Sequence, residues 1–241
     1  MLQAKTSQTL PAPPATPDAA HLQIHRFTTD DVRAMVDAGI IERTARLELI
    51  HGHLATMSPI GDAHLLCINR LTRLFVERAD EDTTVSVQNP LRIDDQNAPE
   101  PDLLLCKGRD RIPTPDNTYR VIEVADSSLQ YDRRVKTPLY ATVGIPEVWI
   151  VNLEAGYLEV YGDWDDGTYK TTRLVMPDET VAVTPCPNIE PLPVSDLLPP
   201  SGTPSDEPAD EPADEAAADE AVADESTADE STADETAADG A

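Results

Sequence analysis

Two acids in this chain stand where acids are costly. Asp102 sits in the run Pro101-Asp102-Leu103-Leu104-Leu105, and Glu123 in Ile122-Glu123-Val124-Ala125. Both runs have the apolar pattern of buried strands, where a carboxylate must be paired or bound to a cation. Neighbouring strands would let the two carboxylates converge on one point. Two carboxylates, with water filling the remaining positions, suit Mg²⁺. Either acid alone is as well explained by a strand end open to water. Asp126-Ser127-Ser128 follows, then Tyr131-Asp132-Arg133-Arg134-Val135-Lys136, then Tyr140. Lys136 is one of four lysines (Lys5, Lys107, Lys136, Lys170) in a chain whose habit is arginine. Lysine in that setting points to a need for a compact charge rather than a planar fork. On a continuous helix Asp132, Lys136 and Tyr140 share a face at i, i+4 and i+8. Alternatively, Thr137-Pro138 opens a second helical segment as N-cap and first residue. Taken singly, Lys136 reads as a surface partner of Asp132, and Tyr140 reads equally as core packing.

These residues need a scaffold, and the sequence outlines one. Thr28-Thr29-Asp30-Asp31 is a helix start and Gly39 a stop, with Val32, Met35 and Val36 on one face. Alternation from Arg46 to Met57 around His51-Gly52 reads as a β-hairpin. Residues 62–79 carry Leu65, Leu66, Ile68, Leu71, Leu74 and Phe75 at helical spacing. Strand patterns follow at 84–87, 91–93, 102–106, 119–124, 147–151, 157–161 and 169–175, with a helical stretch at about 130–143 ending at Gly144. Strands outnumber helices and do not alternate with them. The expected class is α+β, with a mixed central sheet.

Composition narrows the function. The chain has 241 residues, 18 Lys+Arg and 45 Asp+Glu, for a net charge of −27. Residues 1–21, with Pro11, Pro13, Pro14 and Pro17, are expected to be disordered. So are residues 201–241, a repeat of Ala-Asp-Glu with 15 acids and no base. The tail reads as a solvating segment, or as a decoy for a basic groove. One domain over 22–200 remains, still acidic, which argues against tight nonspecific binding to nucleic acid. No run of 18 apolar residues exists, so no membrane span is expected. The start lacks a signal-peptide pattern, and Cys67, Cys106 and Cys186 form no disulfide framework or CxxC site. A cytoplasmic setting is expected. His51 and His53 read as turn residues, and His64 as a structural histidine that could approach the acids. Arg70, Arg73 and Arg78 form at most a thin basic patch.

Taken in order, several short runs resemble the Uma-two family of the PD-(D/E)xK nuclease superfamily. They are Leu47-Glu48-Leu49-Ile50-His51-Gly52, Met57-Ser58-Pro59, Pro101-Asp102-Leu103 and Ile122-Glu123-Val124. Tyr131-Asp132-Arg133 with Lys136 and Tyr140, and Gly144-Ile145-Pro146-Glu147-Val148-Trp149-Ile150-Val151, complete the set. The resemblance covers about 25–200. It implies a restriction endonuclease-like central mixed β-sheet flanked by helices. The implied activity is Mg²⁺-dependent (or Mn²⁺-dependent) hydrolysis of DNA; a homodimer is an expectation for a nuclease that cuts two strands. Asp102 and Glu123 would hold the metal together with the Val124 carbonyl. Glu48 would complete the site or orient the attacking water. The superfamily pattern puts lysine two residues after the second acid, where this chain has Ala125. The family displaces it to the next helix, which points to Lys136. Ser127, Asp132 and Tyr140 would support these groups from behind. The alternative is an inert nuclease fold that binds nucleic acid or protein without turnover.

Overall fold

The computed structural model describes residues 24–57, 59–184 and 189–199. The expectations for 1–21 and 201–241 lie outside them. A six-stranded sheet forms the centre, in the order β3-β4-β5-β6-β7-β8. Its strands are β3 (Thr83–Val87), β4 (Leu103–Lys107), β5 (Thr118–Ala125), β6 (Glu147–Asn152), β7 (Tyr157–Asp165) and β8 (Thr168–Val175). All neighbours are antiparallel except β5 and β6, which run parallel across a helical connection. The fold is α+β with a mixed sheet, as the patterns predict.

Alternation sorts the strand residues to two faces. Leu103, Leu105, Ile122, Val124, Trp149 and Val151 pack in one core with Cys67, Ile68, Leu71 and Phe75 of α2 (Asp62–Arg78). Leu104, Cys106, Val121, Ala125, Val148 and Ile150 pack in the other with Tyr140 and Ile145. By the same alternation Asp102 falls on the face of Leu104, and Glu123 on the face of Val121 and Ala125. Glu123 therefore faces the helical connection, and Asp102, just before β4, lies at the end of the sheet where α2 also reaches it.

That connection is one helical run with a wide turn inside it. It comprises α3 (Leu129–Tyr131), a π-helical segment Asp132–Lys136 and α4 (Thr137–Thr142). The Thr137 N–H reaches back to the Asp132 carbonyl, an i to i−5 bond. Pro138 explains why the wide turn sits here. Proline has no N–H to give and its ring crowds the carbonyl four residues back. A π turn relieves that crowding without ending the helix. Lys136, not Thr137, is the residue preceding α4. The run closes at Gly144, whose φ of +81° suits glycine.

The hairpin β1 (Leu47–Ile50) and β2 (His53–Thr56) stands outside the main sheet. His51 and Gly52 have φ values of 50° and 72°, the left-handed pair a tight two-residue turn needs. The hairpin is tied to the loop before β4. Ala98 N–H donates to the Leu49 carbonyl at 2.8 Å, and Gly52 N–H to the Gln96 carbonyl at 2.9 Å. α1 (Thr29–Asp37) begins in a capping box between Thr28 and Asp31 and half-buries Val32, Met35 and Val36.

One expected strand is absent. Residues 91–93 form a loop, with Leu91 N–H on the Pro99 carbonyl and Ile93 N–H on the Asn97 carbonyl. Leu91 is apolar because the loop buries it completely, not because it belongs to a ladder. Two short strands, β9 (Thr180–Val181) and β10 (Leu192–Pro193), pair with each other. Among the described residues no helix is long and apolar enough to cross a membrane.

Candidate functional site

The β4–β5 register brings the two acids together. Leu103 pairs with Ile122, so Asp102 and Glu123 meet just beyond the last ladder pair. Asp102 N–H lies 3.4 Å from Glu123 Oε2, and Val124 N–H donates to Asp102 Oδ2 at 2.8 Å. In a strand the N–H and C=O of one residue point to the same side. The Val124 carbonyl therefore opens toward Asp102.

Three further elements deliver polar groups to this point. From the π segment, Lys136 Nζ lies 3.2 Å from Glu123 Oε1 and 3.4 Å from Glu48 Oε2. From α4, Tyr140 Oη–H donates to Glu123 Oε1 at 2.7 Å. From β1, Glu48 Oε2 also accepts the Glu100 N–H at 3.1 Å. Glu48, Asp102, Glu123, Asp132 and Lys136 are all buried. They line a cavity of about 280 Å³ shared with Arg46, His64 and Tyr131.

The electrostatics follow from this crowding. Burial pushes Glu123 well above the usual carboxylate range, with the charges of Asp132 and Asp102 adding to it, while Lys136 opposes the rise. Burial raises Asp132 to about 6, although Lys136 and the Ser128 hydroxyl favour its ionised form. For Lys136, burial alone would lower the ammonium's pKa. The Glu123 and Glu48 carboxylates outweigh it and hold the proton on. Glu100, at the edge, is raised by burial and by Glu48.

The structure brings Asp102, Glu123 and Lys136 to one place. Lys136 is not a surface partner of Asp132; it is buried between Glu48 and Glu123. Tyr140 is both core and site, fully buried with its hydroxyl on Glu123. Ser127 lies exposed on the cavity wall, whereas Ser128 Oγ–H donates to Asp132 Oδ2 at 2.6 Å. Ala125 is buried on the face of Glu123 with no charge to give. His64, expected to be structural, touches Asp102 Oδ2 through Nε2 at 3.2 Å. The arginines of α2 are engaged: Arg70 with Asp196 and its carbonyl, Arg73 with Glu77, Arg78 with the Leu74 carbonyl. His51 lies in the hairpin turn and His53 opens β2.

Whether the site suits a divalent cation is a question of donors. Four buried carboxylates crowd one buried lysine, a cost that burial meets in part by favouring the protonated forms of Glu123 and Asp132 and that a bound cation would relieve. Among the described residues, no three His, Cys, Asp or Glu side chains are grouped as a ready ligand set. The Lys136 ammonium occupies the point between Glu48 and Glu123 instead. What stands available is two carboxylates and one carbonyl, all hard oxygen donors. Mg²⁺ is commonly held by one or two carboxylates, with water and phosphate oxygens completing the shell.

This fold recurs in a crystal structure described as "a putative nuclease belonging to DUF820" from Anabaena variabilis ATCC 29413. The TM-score is 0.57 at 13% identity, over 71% of this chain and 97% of that one, a likeness of fold alone. At the level of sequence, the model of the Uma2 family, described as "Putative restriction endonuclease", matches residues 30–195, and the chain belongs to that family. No curated protein matches it.

Proposed function

We propose that the chain is a divalent-cation-dependent nuclease that hydrolyses phosphodiester bonds in DNA. The observation that carries this reading is the buried convergence of Asp102, Glu123, Glu48 and Lys136 at the end of the β4–β5 ladder. Family membership and the fold of the nuclease-described relative support it. Asp102, Glu123 and the Val124 carbonyl would hold Mg²⁺ or Mn²⁺. Such an ion, when bound, lowers the pKa of water and neutralises charge on a phosphate.

The chain's own groups supply the rest. Lys136 is kept protonated by its carboxylate neighbours, so it is not a base but a fixed positive charge. It orients the attacking water or stabilises negative charge as it develops on the phosphate. The charge missing at position 125 would come instead from the π turn, which puts Lys136 Nζ 3.2 Å from Glu123 Oε1. Glu48 orients the water from the opposite side or completes the site. Tyr140 fixes Glu123, and Ser128 with Asp132 supports the helix turn that carries Lys136. Ser127 lies at the entrance. Cleavage of both strands of a duplex would bring two copies together as a homodimer, and the cytoplasm is the setting proposed for it.

The test is cleavage. With Mg²⁺ or Mn²⁺ the purified protein should cut DNA, and Asp102→Ala or Lys136→Ala should abolish cutting. Undiminished activity in either variant contradicts the assignment. One observation favours a second reading, an inert binding module: Lys136 already satisfies Glu48 and Glu123 without a metal. Thermal stability separates the two, because a ligand that binds only the folded state raises it by mass action. A shift with Mg²⁺ or Mn²⁺ supports the nuclease; none at millimolar metal supports the module.

A further inference from the structure

Asp102 is held from two sides, and both holds fall on one oxygen. Oδ2 accepts the Val124 N–H at 2.8 Å and contacts His64 Nε2 at 3.2 Å. Neither contact uses Oδ1, and Asp102 lines the cavity. His64 comes from the first turn of α2, which packs on the sheet face opposite the π turn. Its side chain is only 14% exposed, and its Nδ1 is buried with no hydrogen-bond partner. A carboxylate oxygen can only accept, so Nε2 carries the proton of this contact. A histidine kept for packing alone has no reason to bury an unpartnered nitrogen. The bond this ring does make is to Asp102.

We propose that His64 is a positioning residue that turns Asp102 so that Oδ1 alone faces the cation. This rests on the metal-dependent reading above and deepens it. With Oδ2 occupied by two donors, Asp102 cannot rotate to offer both oxygens. A one-oxygen carboxylate suits the strict octahedral shell of Mg²⁺, whereas Ca²⁺ accepts two-oxygen carboxylates and higher ligand numbers. His64 therefore biases the site toward Mg²⁺ and Mn²⁺ and against Ca²⁺. Groups hydrogen-bonded to metal ligands commonly govern affinity by 10- to 100-fold.

Two measurements on the full chain decide it. In ¹⁵N-resolved NMR of histidine side chains, the signals lost in His64→Gln identify His64. They should show the tautomer with the proton on Nε2; a proton on Nδ1 alone overturns the proposal whatever the metal does. In calorimetric titrations with MgCl₂ and CaCl₂, His64→Ala should weaken Mg²⁺ about tenfold while Ca²⁺ holds or tightens. His64→Gln should keep the wild-type preference, because its amide N–H can replace Nε2–H. If the wild type binds Mg²⁺ and His64→Ala binds both ions as the wild type does, this proposal falls and the nuclease reading stands. If the wild type binds neither ion, both fall. Should His64→Ala fail to fold, the tautomer decides alone.

Discussion

Lys136 shows how much one side chain organises here. Its ammonium sits within 3.4 Å of Glu48 and 3.2 Å of Glu123, all three buried. Removing one partner of a buried ion pair leaves uncompensated charge, which costs about 3–5 kcal/mol. Lys136→Met should lower the metal-free stability by about 3 kcal/mol in urea titrations. A loss under about 1 kcal/mol would mean the ammonium is not where the carboxylates need it. Asp132 gives a prediction in pH. Burial raises its pKa from 3.8 to about 6, so the folded protein holds this proton more tightly than the unfolded chain. Between those values the folded state binds the extra proton, and stability from this group falls as pH rises. Melting temperatures of the wild type and Asp132→Asn from pH 4 to 7 should diverge in that direction, the wild type losing more. Parallel curves would contradict the raised pKa. At this scale, acids inside apolar runs made Asp102 and Glu123 legible, and the rarity of lysine did the same for Lys136. Glu48 was visible only through family resemblance, because nothing local distinguishes it from a surface acid on a hairpin. His64 was undervalued because its partner lies far along the chain and is met only when α2 packs against the sheet.

The elements matter through register and angle. A one-residue slip of β4 against β5 would send Asp102 and Glu123 to opposite faces. The apolar alternation of Leu103–Leu105 against Val121–Val124 opposes that slip, which is why the strands and their facing were readable in advance. The π turn was not. Its cause, Pro138, was visible, but a proline in a helical pattern is equally compatible with a break, and only packing against the sheet selects a widened turn. Residues 91–93 misled for a related reason: an apolar alternation records burial, and a buried loop satisfies it as well as a strand. The hairpin offers the sharpest test at this scale. A Cβ on Gly52 would lie 2.6 Å from Arg26 Cβ, and its φ is +72°. Gly52→Ala should cost about 1–3 kcal/mol of stability in urea titrations. It should also weaken whatever depends on Glu48, since Gly52 closes the hairpin whose first strand carries Glu48. A neutral substitution would mean the turn is not the left-handed one described.

For the whole molecule the issue is charge. A net charge of −27 is an unlikely balance for a protein that grips phosphates, yet 15 of its acids lie in residues 201–241. In the described domain, Glu48, Asp102, Glu123 and Asp132 are buried around the candidate site rather than spread over a surface. The arginines of α2 are engaged by carbonyls and acids of the chain itself. Engagement with DNA should therefore be weak and sensitive to salt, and most of the affinity at the site would come with the cation. The central claim is that this cation has one defined place. It is tested most directly by a crystal structure soaked in Mn²⁺, read by anomalous scattering. The account predicts one ion shared by Asp102 and Glu123, with the Val124 carbonyl beside it and the Lys136 ammonium adjacent. Crystals that show no ion at these two carboxylates, or ions only on the acidic surface, would contradict it.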